Sequence, residues 1–186
     1  MYPVAELTYP WIAGAGFLCG LPAVLIRLQD GAPKFSAEAI VRKVMVAGKP
    51  HPPPRWVVIN GHWKRADNEL FVRLRHVAQV QACIETDGLS SMCDASARLP
   101  MWDHVAVTVS LPATELRCEL FHSVVVRTPT LTEEADLLAF AEYLGKRGYN
   151  GPKYLIGAGA KSAAVVLGRD WRITKPVEQD KIAGLF

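Results

Sequence analysis

Several short stretches of this chain carry β-branched and aliphatic residues with almost no polar interruption, and they limit the folds open to it. Pro22–Leu28 (PAVLIRL) and Arg55–Asn60 (RWVVIN) are continuous apolar runs. Runs of that kind suit strands buried on both faces, because a strand with one wet face alternates apolar and polar residues instead. Val80–Thr86 (VQACIET), His104–Ser110 (HVAVTVS) and Glu119–Arg127 read as further strands, followed by the short Lys153–Ile156 and Trp171–Thr174.

Helical signals fall between them. Ser36 can cap a helix running to Ala47, with Glu38 in its first turn and Gly48 just past its end. Leu70, Leu74 and Val77 stand at helical spacing within Asn68–Gln79. Thr130-Leu131-Thr132-Glu133 reads as a capping box for a helix ending near Gly148, and Gly159–Leu167 reads as a last helix. The proline run Lys49–Pro54 cannot be helical and is a stiff connector. Strands alternating with helices predict a parallel α/β domain with right-handed crossovers, a single unit over 1–186. About six such units allow an open partial barrel or a doubly wound sheet; the pattern alone does not choose.

Composition narrows the function classes. The 186 residues carry 21 basic and 18 acidic side chains, a net charge of +3 with no basic run, so nucleic-acid binding is not indicated. No window reaches the roughly 20 uninterrupted apolar residues of a membrane helix, so no membrane partner is expected. The segment Met1-Tyr2-Pro3-Val4-Ala5-Glu6 lacks the basic and apolar regions of a signal peptide. The expected location is cytoplasmic, or within a virus particle. Cys19, Cys83, Cys93 and Cys118 form no C-x-x-C pair and read as free thiols.

The stretch Trp11–Leu28 (WIAGAGFLCGLPAVLIRL) resembles the opening of the 7-carboxy-7-deazaguanine synthases, radical-SAM enzymes with a Q-G-E-G-x-x-x-G-x-P-A-V-F-x-R-L pattern. Gly14, Gly16, Gly20, Pro22, Ala23, Val24, Arg27 and Leu28 keep its frame. Val57-Val58-Ile59-Asn60-Gly61 stands where the family has V-V-x-T-G-G-E-P, and Ile84-Glu85-Thr86-Asp87-Gly88 is similar to its E-T-N-G. Val107–Ser110 resembles its V-x-V-S-P-K, and Trp171–Thr174 through Lys181 its W-R-L-S-x-Q-x-H-K. The resemblance implies an incomplete parallel β/α barrel of radical-SAM type.

It does not carry the family's chemistry with it. Three cysteine thiolates must hold the iron–sulfur cluster. Leu28 is followed instead by Gln29-Asp30-Gly31-Ala32-Pro33-Lys34-Phe35, and no cysteine lies between Cys19 and Cys83. The substrate-facing Gln and Glu correspond to Ala13 and Ala15, and the loop that clamps SAM reads Asn60-Gly61-His62-Trp63 without its carboxylate. No catalytic residue, metal ligand or cofactor is therefore expected.

Arg27 with Glu85-Thr86-Asp87-Gly88 survives at the ligand-bearing strand ends, on the family pattern. These residues read either as a residual pocket for a small anionic or purine-like ligand, or as a buried arginine paired with a strand-end carboxylate. The pocket reading requires an open cavity lined by Arg27 and Glu85, and Phe17, Phe35 or Trp63 in its mouth would abolish it. His62-Trp63-Lys64-Arg65 is a candidate contact surface, with His62, Trp63 and Arg65 the residues suited to a protein partner.

Tyr154–Ser162 imitates a phosphate loop but has Ala160 where the motif needs glycine before Lys161. His104 and His122 lie on predicted strands and can meet, without the spacing of a metal site. Ser110 lies in no nucleophile elbow. The expected protein is a non-catalytic relative of the synthases, kept for binding or assembly with a protein partner or its own copies. The alternative is an enzyme or ligand-binding protein that reuses the old pocket without iron or SAM.

Overall fold

A computed structural model describes residues 1–12, 16–18, 20–47, 54–60, 69–86, 103–113, 116, 118 and 121–174. The described strands are β1 (Tyr2–Ile12), β2 (Pro22–Leu28), β3 (Lys34–Phe35), β4 (Trp56–Asn60), β5 (Gln81–Thr86), β6 (His104–Ser110), β7 (Ser123–Arg127), β8 (Lys153–Ile156) and β9 (Trp171–Ile173). The helices are α1 (Ala37–Ala47), α2 (Glu69–His76), α3 (Glu134–Lys146) and α4 (Ala160–Leu167). All nine strands join one sheet in the order β3-β1-β2-β4-β5-β6-β7-β8-β9.

From β2 onward every neighbouring pair is parallel and follows chain order. The expected parallel α/β architecture is therefore present, without the reversal of strand order that a doubly wound sheet needs. The apolar runs explain why. Alternate residues of each strand point to opposite faces, and both faces of the central strands are buried. Val24, Ile26, Val57, Ile59, Ile84, Val107 and Val126 share one core with Ile40, Val44, Leu70, Leu74, Leu137 and Leu144 from the helices. Each such side chain contributes about 1.5–3 kcal/mol by leaving water. On the opposite face Ala23, Leu25, Val58 and Cys83 form a smaller cluster under Leu18.

The helix boundaries follow local chemistry in part. Ser36 Oγ accepts the Ala39 N–H at 3.1 Å, as the capping reading of α1 requires. Arg42 and Glu38 then pair one turn apart on its wet face. The capping box at Thr130–Glu133 does not form. Glu133 is the N-cap of α3 without a side-chain hydrogen bond, and the Thr132 hydroxyl donates to the Pro129 carbonyl instead. Gly148 closes that helix at φ 68°, a conformation glycine adopts without a Cβ clash.

The strand expected over Glu119–Arg127 is shorter, starting at Ser123. Leu116, Cys118 and Phe121 turn into the core before it. Tyr143 of α3 pins this connection by donating its hydroxyl to the Leu116 carbonyl at 2.7 Å and accepting the Leu116 N–H at 3.0 Å. Strands β1 and β3 were not anticipated. β1 runs antiparallel to β2 and pairs with β3 through Tyr2–Phe35 and Pro3–Lys34. Pro3 and Pro10 hide its strand pattern in the sequence. Among the described residues, no helix is long and apolar enough to cross a membrane.

At the carboxyl end of the sheet, the loops after β7 and β8 meet backbone to backbone. Thr128 donates its N–H to the Ile156 carbonyl at 2.8 Å and accepts the Gly159 N–H at 3.0 Å. Gly157 sits at φ 123°, where an added Cβ would collide with the Thr128 carbonyl oxygen. Gly157→Ala is expected to lower the unfolding free energy by about 2–4 kcal/mol in a urea titration. Gly145→Ala, inside α3 with nothing within 4 Å of the new methyl, should leave stability unchanged or raise it by about 0.5–1 kcal/mol.

Candidate functional site

Parallel strands that are apolar along their length place their polar residues at the ends, and here the carboxyl ends carry most of them. Asn60 closes β4, Ser110 closes β6 and Arg127 closes β7, while Glu85 stands one residue before the end of β5. Together with Thr108, Thr128 and Gly157 they line an open cavity of about 560 Å³. Val125, Pro129 and Ile156 supply apolar wall. Its position beyond the carboxyl ends of a parallel sheet is where open α/β sheets hold ligands.

The register explains how these side chains share a face. Arg27, Asn60, Glu85 and Ala106 are successive lateral partners across β2, β4, β5 and β6. Ser110 and Arg127 are partners higher up, and Arg127 is in turn the partner of Ile156.

Glu85 is partly buried, reaching solvent through the cavity. Burial pushes its carboxyl up to about 7, against the opposing effect of a hydrogen bond from Asn60. Among the described residues no cation lies within ion-pair distance of it. A carboxylate with one amide partner and no counter-charge is costly to keep, and such groups concentrate at binding and catalytic sites.

Arg27 does not behave as either sequence reading requires. It is not buried, and its guanidinium pairs with Glu6 of β1 at 3.1 Å, with 54% of the side chain exposed. The antiparallel β1 places Glu6 opposite Arg27, and that contact takes the arginine out of the cavity lining. Of the other candidate pocket residues, Thr86 ends β5, while Asp87 and Gly88 lie outside the described residues. So do the candidate contact residues His62, Trp63 and Arg65. Phe35 does not block the mouth: its ring packs on the helix-side core, with the Lys43 ammonium 5.4 Å from its centroid.

Sequence reasoning missed Thr108, Arg127 and Thr128. The signal was available, because residues closing successive parallel strands on one parity converge on one cavity. Arg127 is exposed at the cavity and forms no ion pair among the described residues.

Other groups are disposed differently. His104 and His122 do meet, with ring centroids 5.3 Å apart, but at the amino ends of β6 and β7, away from the cavity. His104 Nε2 lies 2.8 Å from the buried Ser123 hydroxyl, and His122 Nδ1 accepts the Val105 N–H at 3.0 Å. Burial, and then the neighbouring His122, pull His104 down to about 4. Cys83 is buried, and desolvation followed by the nearby Glu85 pushes its thiol well above the usual range, which makes it unreactive.

No group of three His, Cys, Asp or Glu residues among those described could hold a metal ion. The turn imitating a phosphate loop is engaged internally: Gly159 donates to Thr128 and Ala160 to the Gly157 carbonyl. Where a radical-SAM cluster loop would follow β2, the chain turns within five residues into β3 and back onto β1, offering no thiolate. Among the described residues, no set of donors fits an iron–sulfur cluster.

The chain matches no protein-family model and no curated protein.

The Glu85 geometry has a sign-specific consequence for stability. A carboxyl whose folded value lies near 7 against about 4.5 when free stabilises the fold below pH 4.5, and this contribution disappears as pH rises through 7. Glu85→Gln removes the ionisation while keeping a partner for Asn60. It is expected to be more stable than the parent by about 1–3 kcal/mol at pH 8. The two chains should converge near pH 4 when melted by circular dichroism across the range.

Proposed function

We propose that the chain is a non-catalytic relative of the 7-carboxy-7-deazaguanine synthases, built on an incomplete parallel β/α barrel, that binds a small polar ligand in the cavity at its strand ends. The observation that carries this reading is Glu85: partly buried, held by Asn60, facing an open cavity and unpaired by any described cation. The unidirectional strand order and the single helix-side core are consistent with the barrel. The family resemblance of Trp11–Leu28, together with the thiol-free turn after β2, supports descent without radical chemistry. On this reading the protein works in the cytoplasm or in a larger particle, needs no resident cofactor, and acts by binding.

A second reading, assembly with copies of itself or with a protein partner, is favoured by exposed apolar side chains in the turn before α3 and on α4. Leu131 and Val165 are 92% and 86% exposed. Light scattering on the purified chain tests it, and a monomer at all concentrations would remove self-assembly.

The ligand reading is tested by amide NMR titration with two small probes, succinate and hypoxanthine, at millimolar concentration. Shifts confined to residues 60, 85, 108–110, 125–128 and 156–157 are expected with at least one probe. Silence at all of these positions with both would sink the reading. Anaerobic reconstitution with iron and sulfide is expected to yield no stoichiometric cluster absorption; its appearance would overturn the non-radical assignment.

A further inference from the structure

The cavity holds two uncompensated charges of opposite sign, and they are too far apart to satisfy each other. Glu85 and Arg127 both line it, yet neither has a charged partner among the described residues. They sit two strands apart, on β5 and β7. Along the strand direction, Glu85 is level with Ala106 and hence with Ser123, four residues before Arg127. With strands about 4.8 Å apart and a rise of about 3.3 Å per residue, their Cα atoms are separated by roughly 16 Å. Side chains stand off a sheet more than along it, so carboxylate and guanidinium remain roughly 13–16 Å apart, and a contact of about 3 Å at each end leaves a gap of roughly 7–10 Å for a bridging molecule. Burial raises the pKa of Glu85 and the hydrogen bond from Asn60 opposes the rise.

What spans that gap must offer an N–H donor at one end and an oxyanion at the other. Between the charges runs β6, which presents Thr108 and Ser110 to the cavity, with Val125 of β7 as apolar wall beside them. Resting on the reading of the cavity as a ligand site, we infer that its ligand is an elongated dipolar molecule, with an amino group held by Glu85 and Asn60, a carboxylate or phosphate held by Arg127, and a spacer between them that passes over β6. An α-amino acid is too short, because its nitrogen and carboxyl carbon stand only about 2.5 Å apart.

The test uses ω-amino acids of increasing length as probes: glycine, 4-aminobutyrate, 6-aminohexanoate and 8-aminooctanoate, with hexanoate and hexylamine as single-charge controls. In the two longer amino acids the charged ends lie about 7 and 10 Å apart when extended. At least one of these two is expected to bind about tenfold more tightly than glycine, 4-aminobutyrate or either control, by NMR titration of the full chain. Glu85→Gln should reduce that probe to the affinity of hexanoate, and Arg127→Gln to that of hexylamine. Arg127 is exposed, so its replacement keeps the fold, and a circular dichroism melt of each variant verifies this.

Affinity independent of length, or equal for singly charged and dipolar probes, overturns the inference. If succinate or hypoxanthine shifts the cavity amides while no amino acid does, the dipolar assignment fails and the ligand site stands. If nothing shifts them, both fall.

Discussion

The parallel pairing that runs from β2 to β9, with its central strands buried on both faces, is the constraint from which the rest of the molecule follows. A strand covered on one side by helices and on the other by Leu18 and its neighbours has no room for polar side chains along its length. Polar residues are therefore driven to strand ends, and successive parallel strands bring those ends to the same edge of the sheet. A cavity with chemically diverse walls is a by-product of that arrangement. The composition of the walls is what selection can adjust without disturbing the core.

Glu85 shows the trade between fold and site most clearly. The same position filled by an apolar or neutral residue would cost the native state nothing at neutral pH. Its retention beside Asn60, with Arg127 across the cavity and no cation among the described residues paired with it, runs against stability and needs a reason outside the fold. The histidine pair at the other end of β6 and β7 is a contrast. His104 and His122 are absorbed by a serine hydroxyl and a backbone amide, and their polar atoms are spent on closing the connection before β7.

Much of the architecture was legible because the strands are continuous apolar runs. Pro22–Leu28 and His104–Ser110 match their observed limits, and Ser36 announces α1 through its own hydroxyl. Where the reading failed, tertiary contacts outweighed local signals. Thr132 turned back to Pro129 instead of capping α3, and Phe121 left the expected strand to enter the core. β1 stayed hidden because an antiparallel strand with two prolines shares no period with the parallel set. That omission propagated to the site: without β1 there was no Glu6, and Arg27 was placed in the wrong partnership. Glu85 was legible as a strand-end carboxylate, whereas Arg127 needed the parity of five consecutive residues to be followed to its last position.

The backbone contact between Thr128 and the turn Gly157–Gly159 ties together two segments separated by nearly thirty residues of chain. A side chain introduced at 157 would require the Thr128 carbonyl to withdraw, and that movement would break the bonds Thr128 makes to Ile156 and Gly159. Neither loop can drift alone. In a lineage descending from this chain, the two should be inherited as a matched pair, with insertions in one appearing only alongside changes in the other. A recombination junction placed between β7 and β8 would then separate partners that only work in each other's company.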